Sequence, residues 1–137
     1  MSVVVDSSIS LAWCFEDERT PAVASVLQQV IQKGAVVPTL WRYEVANGLE
    51  MGVRRKRIDA AFRDDSLADL SLLDIAVDPE SESHLWSATV RIAEKHGLTV
   101  YDATYLELAQ RRRLPLATLD RALVRACQAE SVSAIGK

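Results

Sequence analysis

Cysteine is scarce in this chain: Cys14 and Cys127 are the only two among 137 residues, lie far apart, and both fall within apolar helical patterns. They read as buried free thiols, which leaves no disulfide framework to build on. Histidine is equally sparse. His84 and His96 stand twelve residues apart, without the i, i+4 relation of a helical zinc pair, and read as ordinary surface or capping residues. No window approaches the roughly 18 uninterrupted apolar residues that a membrane span needs, and no basic segment with an apolar stretch and cleavage site opens the chain. The expectation is a cytoplasmic protein with no membrane association. Positive charge is also short. A formal net charge of -3 argues against coating nucleic acid through net charge alone, although neutralising four of the 19 acids with bound cations would bring the balance to +1 and let basic clusters dominate locally. Finally, there is no internal repeat, low-complexity tract or linker. With 49% apolar residues the chain can bury one core, so residues 1–137 are expected to form a single domain.

What is present is a regular alternation of segments. Val3-Val4-Val5 is too β-branched and too short for a helix nucleus and predicts a buried strand over residues 2–6. A short helix to about Phe15 follows. After the acidic turn Glu16-Asp17-Glu18, a helix is predicted from about Thr20 to Lys33, with Pro21 near its first position and Gly34 ending it. Ala35–Val37 reads as the second strand. Thr39 is placed to cap a long helix to about Lys56, in which Trp41, Val45, Leu49 and Val53 share one face. A helix from about Asp59 to Leu70 leads to a third strand near Leu73–Val77, and Pro79 opens a helix to about His96, ended by Gly97. The remainder reads as a helix from about Tyr101 to Arg113, a strand over Leu114–Thr118, a helix from Asp120 to about Glu130 and a last strand over Val132–Ile135. Crossovers this long between strands predict an α/β fold, about five strands in a mostly parallel sheet with helices on both faces.

Four carboxylates stand where these segments begin or end: Asp6 after the first strand, Glu44 and Asp102 in the first turns of two helices, and Asp120 after Leu116-Ala117-Thr118. Taken singly, each has a structural explanation as an N-cap or as a complement to a helix dipole. Jointly they say more. Asp102 shares a helical face with Leu106 and Ala109 and so points inward, and Glu44 stacks with Asn47, Gly48 and Met51. Neither has a lysine or arginine at i+3 or i+4. Buried charges are paired or coordinate metals, strand ends and helix starts converge on one sheet edge, and clustered oxygen ligands suit magnesium or manganese. Divalent ions held by carboxylates can activate a water, shed charge from an in-line transition state and stabilise a leaving oxygen, which is what phosphodiester hydrolysis needs. Ser8 and Thr118, beside the acids, are placed to orient a ligand or to cap the following helix turn.

Val5-Asp6-Ser7-Ser8, Glu44-Val45-Ala46-Asn47, Tyr101-Asp102-Ala103 followed by Leu106-Glu107-Leu108-Ala109, and Leu116-Ala117-Thr118-Leu119-Asp120 resemble the four acidic motifs of PIN-domain ribonucleases, in order and over almost the whole chain. In length and motif spacing the chain is most similar to the VapC toxins of toxin-antitoxin pairs. The resemblance implies a magnesium- or manganese-dependent endoribonuclease acting on RNA, a homodimer, and inhibition by a cognate VapB-type antitoxin. It assigns Asp6, Glu44, Asp102 and Asp120 to the acidic catalytic and metal-binding positions, with Ser8, Asn47 and Thr118 as supporting polar groups. The chain departs from the family pattern in two places. Arg121 and Ala122 stand where some relatives carry a fifth acid, which bears on a second metal, and Glu130-Ser131 replaces a glycine common before the last strand.

Two basic runs, Arg54-Arg55-Lys56-Arg57 and Arg111-Arg112-Arg113, lie at predicted helix C-termini, where cations complement the dipole. Arg54, Arg55, Arg57, Arg111 and Arg112 are also candidates for holding RNA phosphates beyond the scissile one. Trp13 and Phe15 read either as core or as part of a groove for the antitoxin. Three other functions compete. A receiver-type phosphoacceptor domain would want paired acids after the first strand and a lysine near the fifth, where this chain has only Asp6 and no lysine between Lys95 and Lys137. An aspartyl-nucleophile phosphohydrolase would want a second aspartate at the position of Ser8. A catalytically inactive PIN-like binding domain would have no need to hold four uncompensated acids together.

Overall fold

The strand order is β3-β2-β1-β4-β5, and every neighbouring pair is parallel. In this computed structural model, which describes residues 2–137, the strands are β1 (Val4–Val5), β2 (Ala35–Val37), β3 (Ile75–Val77), β4 (Leu116–Ala117) and β5 (Ala134–Ile135). Among the described residues seven α-helices fill the crossovers: α1 (Ser7–Cys14), α2 (Pro21–Lys33), α3 (Leu40–Arg54), α4 (Ala60–Ser71), α5 (Val90–His96), α6 (Val100–Arg112) and α7 (Arg121–Ala129). The expected α/β sheet is borne out, with all five strands parallel. Successive residues of a strand face opposite sides of the sheet, so the complete burial of Val3, Val4 and Val5, and of Ala35, Val36 and Val37, means that both faces are covered.

The chain leaves β1 for β2 on one side and returns to β4 on the other, which makes the C-terminal ends of β1 and β4 the switch point of the sheet. Val5 is level with Ala117, so Asp6 and Thr118 emerge side by side, with the Asp6 N–H donating to the Ala117 carbonyl at 3.1 Å. Helix α3 is drawn against this edge from below. The Trp41 indole donates to the Ser10 hydroxyl at 2.9 Å, and Ser10 in turn donates to the Asp6 carbonyl at 3.0 Å. Gly48 lets α1 and α3 touch, because a Cβ there would run into the Leu11 side chain.

Two expectations are corrected. Thr39 opens α3 but makes no side-chain cap, since its own backbone is already helical (φ -51, ψ -36), and the helix stops at Arg54. The helix expected from Pro79 to His96 is instead a 3-10 turn over Ser81–His84, a π-type turn over Leu85–Thr89 and only then α5. Asp78 explains the tight start: its Oδ2 accepts from the Glu80 N–H at 3.2 Å and from the Ser81 hydroxyl at 2.7 Å, bending the chain before a helix can wind.

Asp78 also ties β3 to the end of α6. Its fully buried carboxylate accepts from Arg111 at 2.8 Å and from Arg112 at 2.6 Å. Burial alone would raise this carboxyl, but Arg111, Arg112 and Ser81 hold it well below the usual carboxylate range. Asp78→Asn, which leaves two arginines facing a neutral amide, should cost about 2 kcal/mol; solvent reaching both guanidinium groups keeps the loss below that of a fully buried pair. Urea unfolding at pH 7 checks this, and an unchanged midpoint would show that the cluster does not hold α6 in place.

Candidate active site

Asp6 is the most constrained of the four acids. At the N-cap of α1 it is 4% exposed, and its Oδ1 accepts from the Ser8 hydroxyl at 2.6 Å and the Ile9 N–H at 3.0 Å, while Oδ2 accepts from the Thr118 hydroxyl at 2.5 Å. The direction of those hydroxyls is set from the other side of the sheet edge. Ser8 Oγ takes the Leu119 N–H at 2.9 Å and Thr118 Oγ1 takes the Asp120 N–H at 3.0 Å, so each hydroxyl proton is left to point at Asp6. A carboxylate offers about four acceptor sites, and these three bonds leave one open, on Oδ2. Burial pushes the Asp6 carboxyl up from 3.8 to about 6, against the lowering effect of its three hydrogen bonds and with a further push from the charge of Asp102.

The other three acids come to the same edge. Asp102 is the third residue of α6, its N–H capped by Thr99 Oγ1 at 3.1 Å, and it is half-buried above Leu106 and Ala109, as the helical face predicts. Its carboxyl is raised by burial and by the charges of Asp120 and Glu44. Asp120 is the N-cap of α7, accepting from the Leu123 N–H at 2.9 Å. Glu44 is half-buried and lies in the second turn of α3, one turn later than expected, so neither a cap nor the first-turn dipole accounts for it. None of the four takes part in an ion pair among the described residues, whereas Asp17, Glu18, Glu50, Asp64, Asp78, Glu80, Glu107 and Glu130 all do. Nor do they form a closed cage: among the described residues no three acidic, histidine or cysteine side chains converge tightly enough to hold an ion as they stand.

Tyr105 is the site residue that sequence reasoning passed over. It is 1% exposed, and its hydroxyl donates to Glu44 Oε1 at 2.6 Å, joining α6 to α3. The available signal was its place three residues after Asp102, on the same side of the helix.

The remaining candidates are scattered. Asn47 is exposed on α3. Trp13 and Phe15 are core residues at 6% and 5% exposure, Trp13 donating to the Val23 carbonyl at 3.1 Å and Phe15 lying 4.1 Å beneath the Arg57 guanidinium. Arg57 pairs with Asp17 and Glu18, Arg54 with Glu50, Arg111 with Glu107 and Asp78, and Arg112 with Asp78. Of the seven cations in the two runs, Arg55, Lys56 and Arg113 make no ion pair among the described residues. Both cysteines are free, and no helix among the described residues is long and apolar enough to cross a membrane.

Known proteins share this architecture. Ribonuclease VapC3 of Pyrobaculum aerophilum is 32% identical over 123 residues, which cover 90% of this chain and 92% of that protein. The crystal structure of PAE2754, also from Pyrobaculum aerophilum, superposes with a TM-score of 0.68 at 26% identity over 92% of this chain and 84% of its own. VapBC2 from Rickettsia felis, bound to a DNA fragment from its promoter, gives 0.65 at 11% identity over 98% of this chain and 97% of the other; FitAcB from Neisseria gonorrhoeae gives 0.62 at 15% over 96% and 95%. At those identities the last two speak for the fold alone. The family model of the PIN domain matches residues 3–129, the stretch that carries all four acids, and the chain belongs to the PIN domain family.

Proposed function

We propose that the chain is a magnesium- or manganese-dependent endoribonuclease, a VapC-type toxin that hydrolyses RNA phosphodiester bonds and is held inactive by a cognate VapB-type antitoxin. The observation that carries this reading is the meeting of four carboxylates from four separate elements with no ion-paired cation among the described residues, Asp6 and Asp102 being raised by burial and then by the charge of neighbouring acids. The all-oxygen donor set fits a hard divalent ion, and Asp6 keeps one acceptor site free for it. Asp6, Glu44, Asp102 and Asp120 would hold the metal, Glu44 and Asp102 being half-exposed and able to close on it. Such an ion supplies Lewis-acid activation of a water and charge relief at phosphorus. Around it the residues have distinct tasks. Ser8 and Thr118 keep Asp6 fixed, and Asp120 is anchored by the α7 N-terminus. The ribonuclease name of the Pyrobaculum relative supports RNA as substrate.

Partner surfaces support the rest of the reading. A cleft of about 630 Å³ where Phe15, Ile58 and Phe62 stand beside Glu16, Asp17 and Arg57, and another of about 500 Å³ where Trp13, Leu27 and Ile31 stand beside Arg19, Asp65 and Asp69, offer mixed apolar and charged seats to an amphipathic antitoxin helix. Elsewhere Tyr43, Leu85, Val100 and Tyr101 line one cleft, and Trp86, next to Leu85 in sequence, is 95% exposed, which suits this region to a second copy of the chain.

Incubated with total RNA in Mg²⁺ or Mn²⁺, the partner-free protein should give discrete fragments that are absent with chelator, and Asp6→Asn should cut at least about 100-fold more slowly. Intact RNA in every metal would overturn the reading.

Stability offers an independent measurement. A carboxyl whose folded pKa is raised contributes stability that is complete below its unfolded value and lost as pH rises through the folded one. In chelator, the protein should therefore lose about 2 kcal/mol between about pH 4.5 and pH 7 from Asp6 alone, the larger part of the roughly 3 kcal/mol that follows from its carboxyl moving from 3.8 to about 6. Glu130, held down to about 2 by Lys95 and His96, acts in the opposite direction, but it has gained most of its stabilisation by pH 4.5, where its unfolded carboxyl titrates. Asp102→Asn should raise the metal-free melting temperature at pH 7.5 by a few degrees, roughly the effect of 1 kcal/mol. A clear loss instead would make Asp102 a structural cap.

Trp86→Glu should turn the homodimer into a monomer, as read by light scattering on a sizing column. A wild-type chain that is already monomeric at micromolar concentration would remove the dimer from the proposal.

A further inference from the structure

Among the four acids Glu44 is the least secured. Asp6 accepts three hydrogen bonds and Asp120 is anchored by the Leu123 N–H, but Glu44 has the longest side chain of the set, is half-exposed, and has a like charge in Asp102 facing it. Left to itself, such a side chain gains both rotamer freedom and relief from repulsion by swinging into water. One contact opposes this among the described residues: the Tyr105 hydroxyl, at 2.6 Å from Oε1.

The structural setting of Tyr105 suits it to that task. Its ring is locked in the core at 1% exposure, so its hydroxyl is a fixed point and not a mobile partner. It sits three residues after Asp102 on α6, and the bond it makes ends on α3; a single side chain therefore sets where Glu44 stands relative to Asp102. The hydroxyl has one proton to give. Donating it to Oε1 leaves Oε2 entirely open, and a carboxylate ordered by a neutral donor keeps the charge that a cation partner would cancel. A core that needed only volume here would be served by phenylalanine.

We infer that Tyr105 is a positioning residue: its hydroxyl holds the Glu44 side chain in place beside Asp102, so that a divalent cation meets a preformed pair of acidic side chains across α3 and α6. The inference rests on the metal-dependent reading of the site above. Tyr105→Phe should keep the fold and the KM for RNA, lower kcat by roughly 10- to 100-fold, and weaken Mn²⁺ binding by a similar factor, in the range seen when the supporting partner of a metal ligand is lost.

The test is a double-mutant cycle on Mn²⁺ affinity, measured by titration calorimetry and by the EPR signal of free Mn²⁺, with wild type, Tyr105→Phe, Glu44→Gln and the double variant. If Tyr105 acts through Glu44, its removal weakens Mn²⁺ binding in the wild type and adds less than twofold on top of Glu44→Gln. Equal factors in both backgrounds, or a Tyr105→Phe protein that binds Mn²⁺ and cuts RNA like wild type, overturn the inference while leaving the nuclease intact. A wild type that neither binds Mn²⁺ nor cuts RNA overturns the metal-dependent reading first, and this inference with it. A Tyr105→Phe protein with a lower melting temperature but unchanged Mn²⁺ affinity and kcat would show a packing role alone, and also overturns it.

Discussion

Crowding of like charge is the condition that the rest of the structure has to satisfy. Asp6 is nearly buried and feels the charge of Asp102; Asp102 is half-buried and feels Asp120 and Glu44. Side chains in that position lower their free energy by taking up protons, by finding a cation or by turning out to water. The fold closes off the last route with neutral donors. Two hydroxyls and a backbone N–H hold Asp6, a helix N-terminus holds Asp120, and a buried phenol holds Glu44. Neutral donors order a carboxylate without cancelling its charge, so the arrangement keeps its appetite for a cation. Arginines in their place would have consumed it.

That arrangement rests on one register. Val5 stands level with Ala117, which brings Asp6 and Thr118 to the same height. A slip of one residue in β4 would turn Thr118 to the other face of the sheet and take the loop N–H groups of Leu119 and Asp120 away from the hydroxyls they orient. The register is in turn held on the far side by β5, through the Thr118 N–H on the Ile135 carbonyl at 3.0 Å. The valine-rich centre of the sheet is thus tied to the precision of the acidic edge: buried on both faces, it does not permit alternative pairings.

The strands, the helices and the meeting of the four acids are written in local sequence. Three valines in a row, Gly34 at a helix end and an aspartate after a strand each have a short-range cause, and the structure differs from them by a residue or two. What could not be read is what depends on distant partners. The tight and wide turns before α5 arise because Asp78 is captured at once by Ser81 and by arginines more than thirty residues away. Arg111 and Arg112 read as free cations at a helix end because their acids, Asp78 and Glu107, are a matter of packing. Trp13 read as core or groove with equal right, since the Val23 carbonyl that receives its indole belongs to another helix. Tyr105 is the same kind of case, for nothing in its helix foretells Glu44 sixty-one residues earlier.

The acids of this protein therefore fall into two populations with opposite electrostatics. Asp78, Glu50 and Glu130 sit against arginine, lysine or histidine, and their carboxyls are held below the ordinary range. Asp6 and Asp102, with no ion-paired cation among the described residues, are pushed above it by burial and then by the charge of neighbouring acids. Ion pairs hold Arg54, Arg57, Arg111 and Arg112 of the two basic runs away from a polyanion, and the acidic edge itself repels one. Under the proposed activity this couples the two ligands. An ion that neutralises the edge removes the repulsion toward RNA, and by linkage a bound phosphodiester must tighten the ion to the same degree. A site built from uncompensated carboxylates would then engage its substrate only once the cation is in place, which gives the absence of ion pairs to these four acids among the described residues a function as well as a cost.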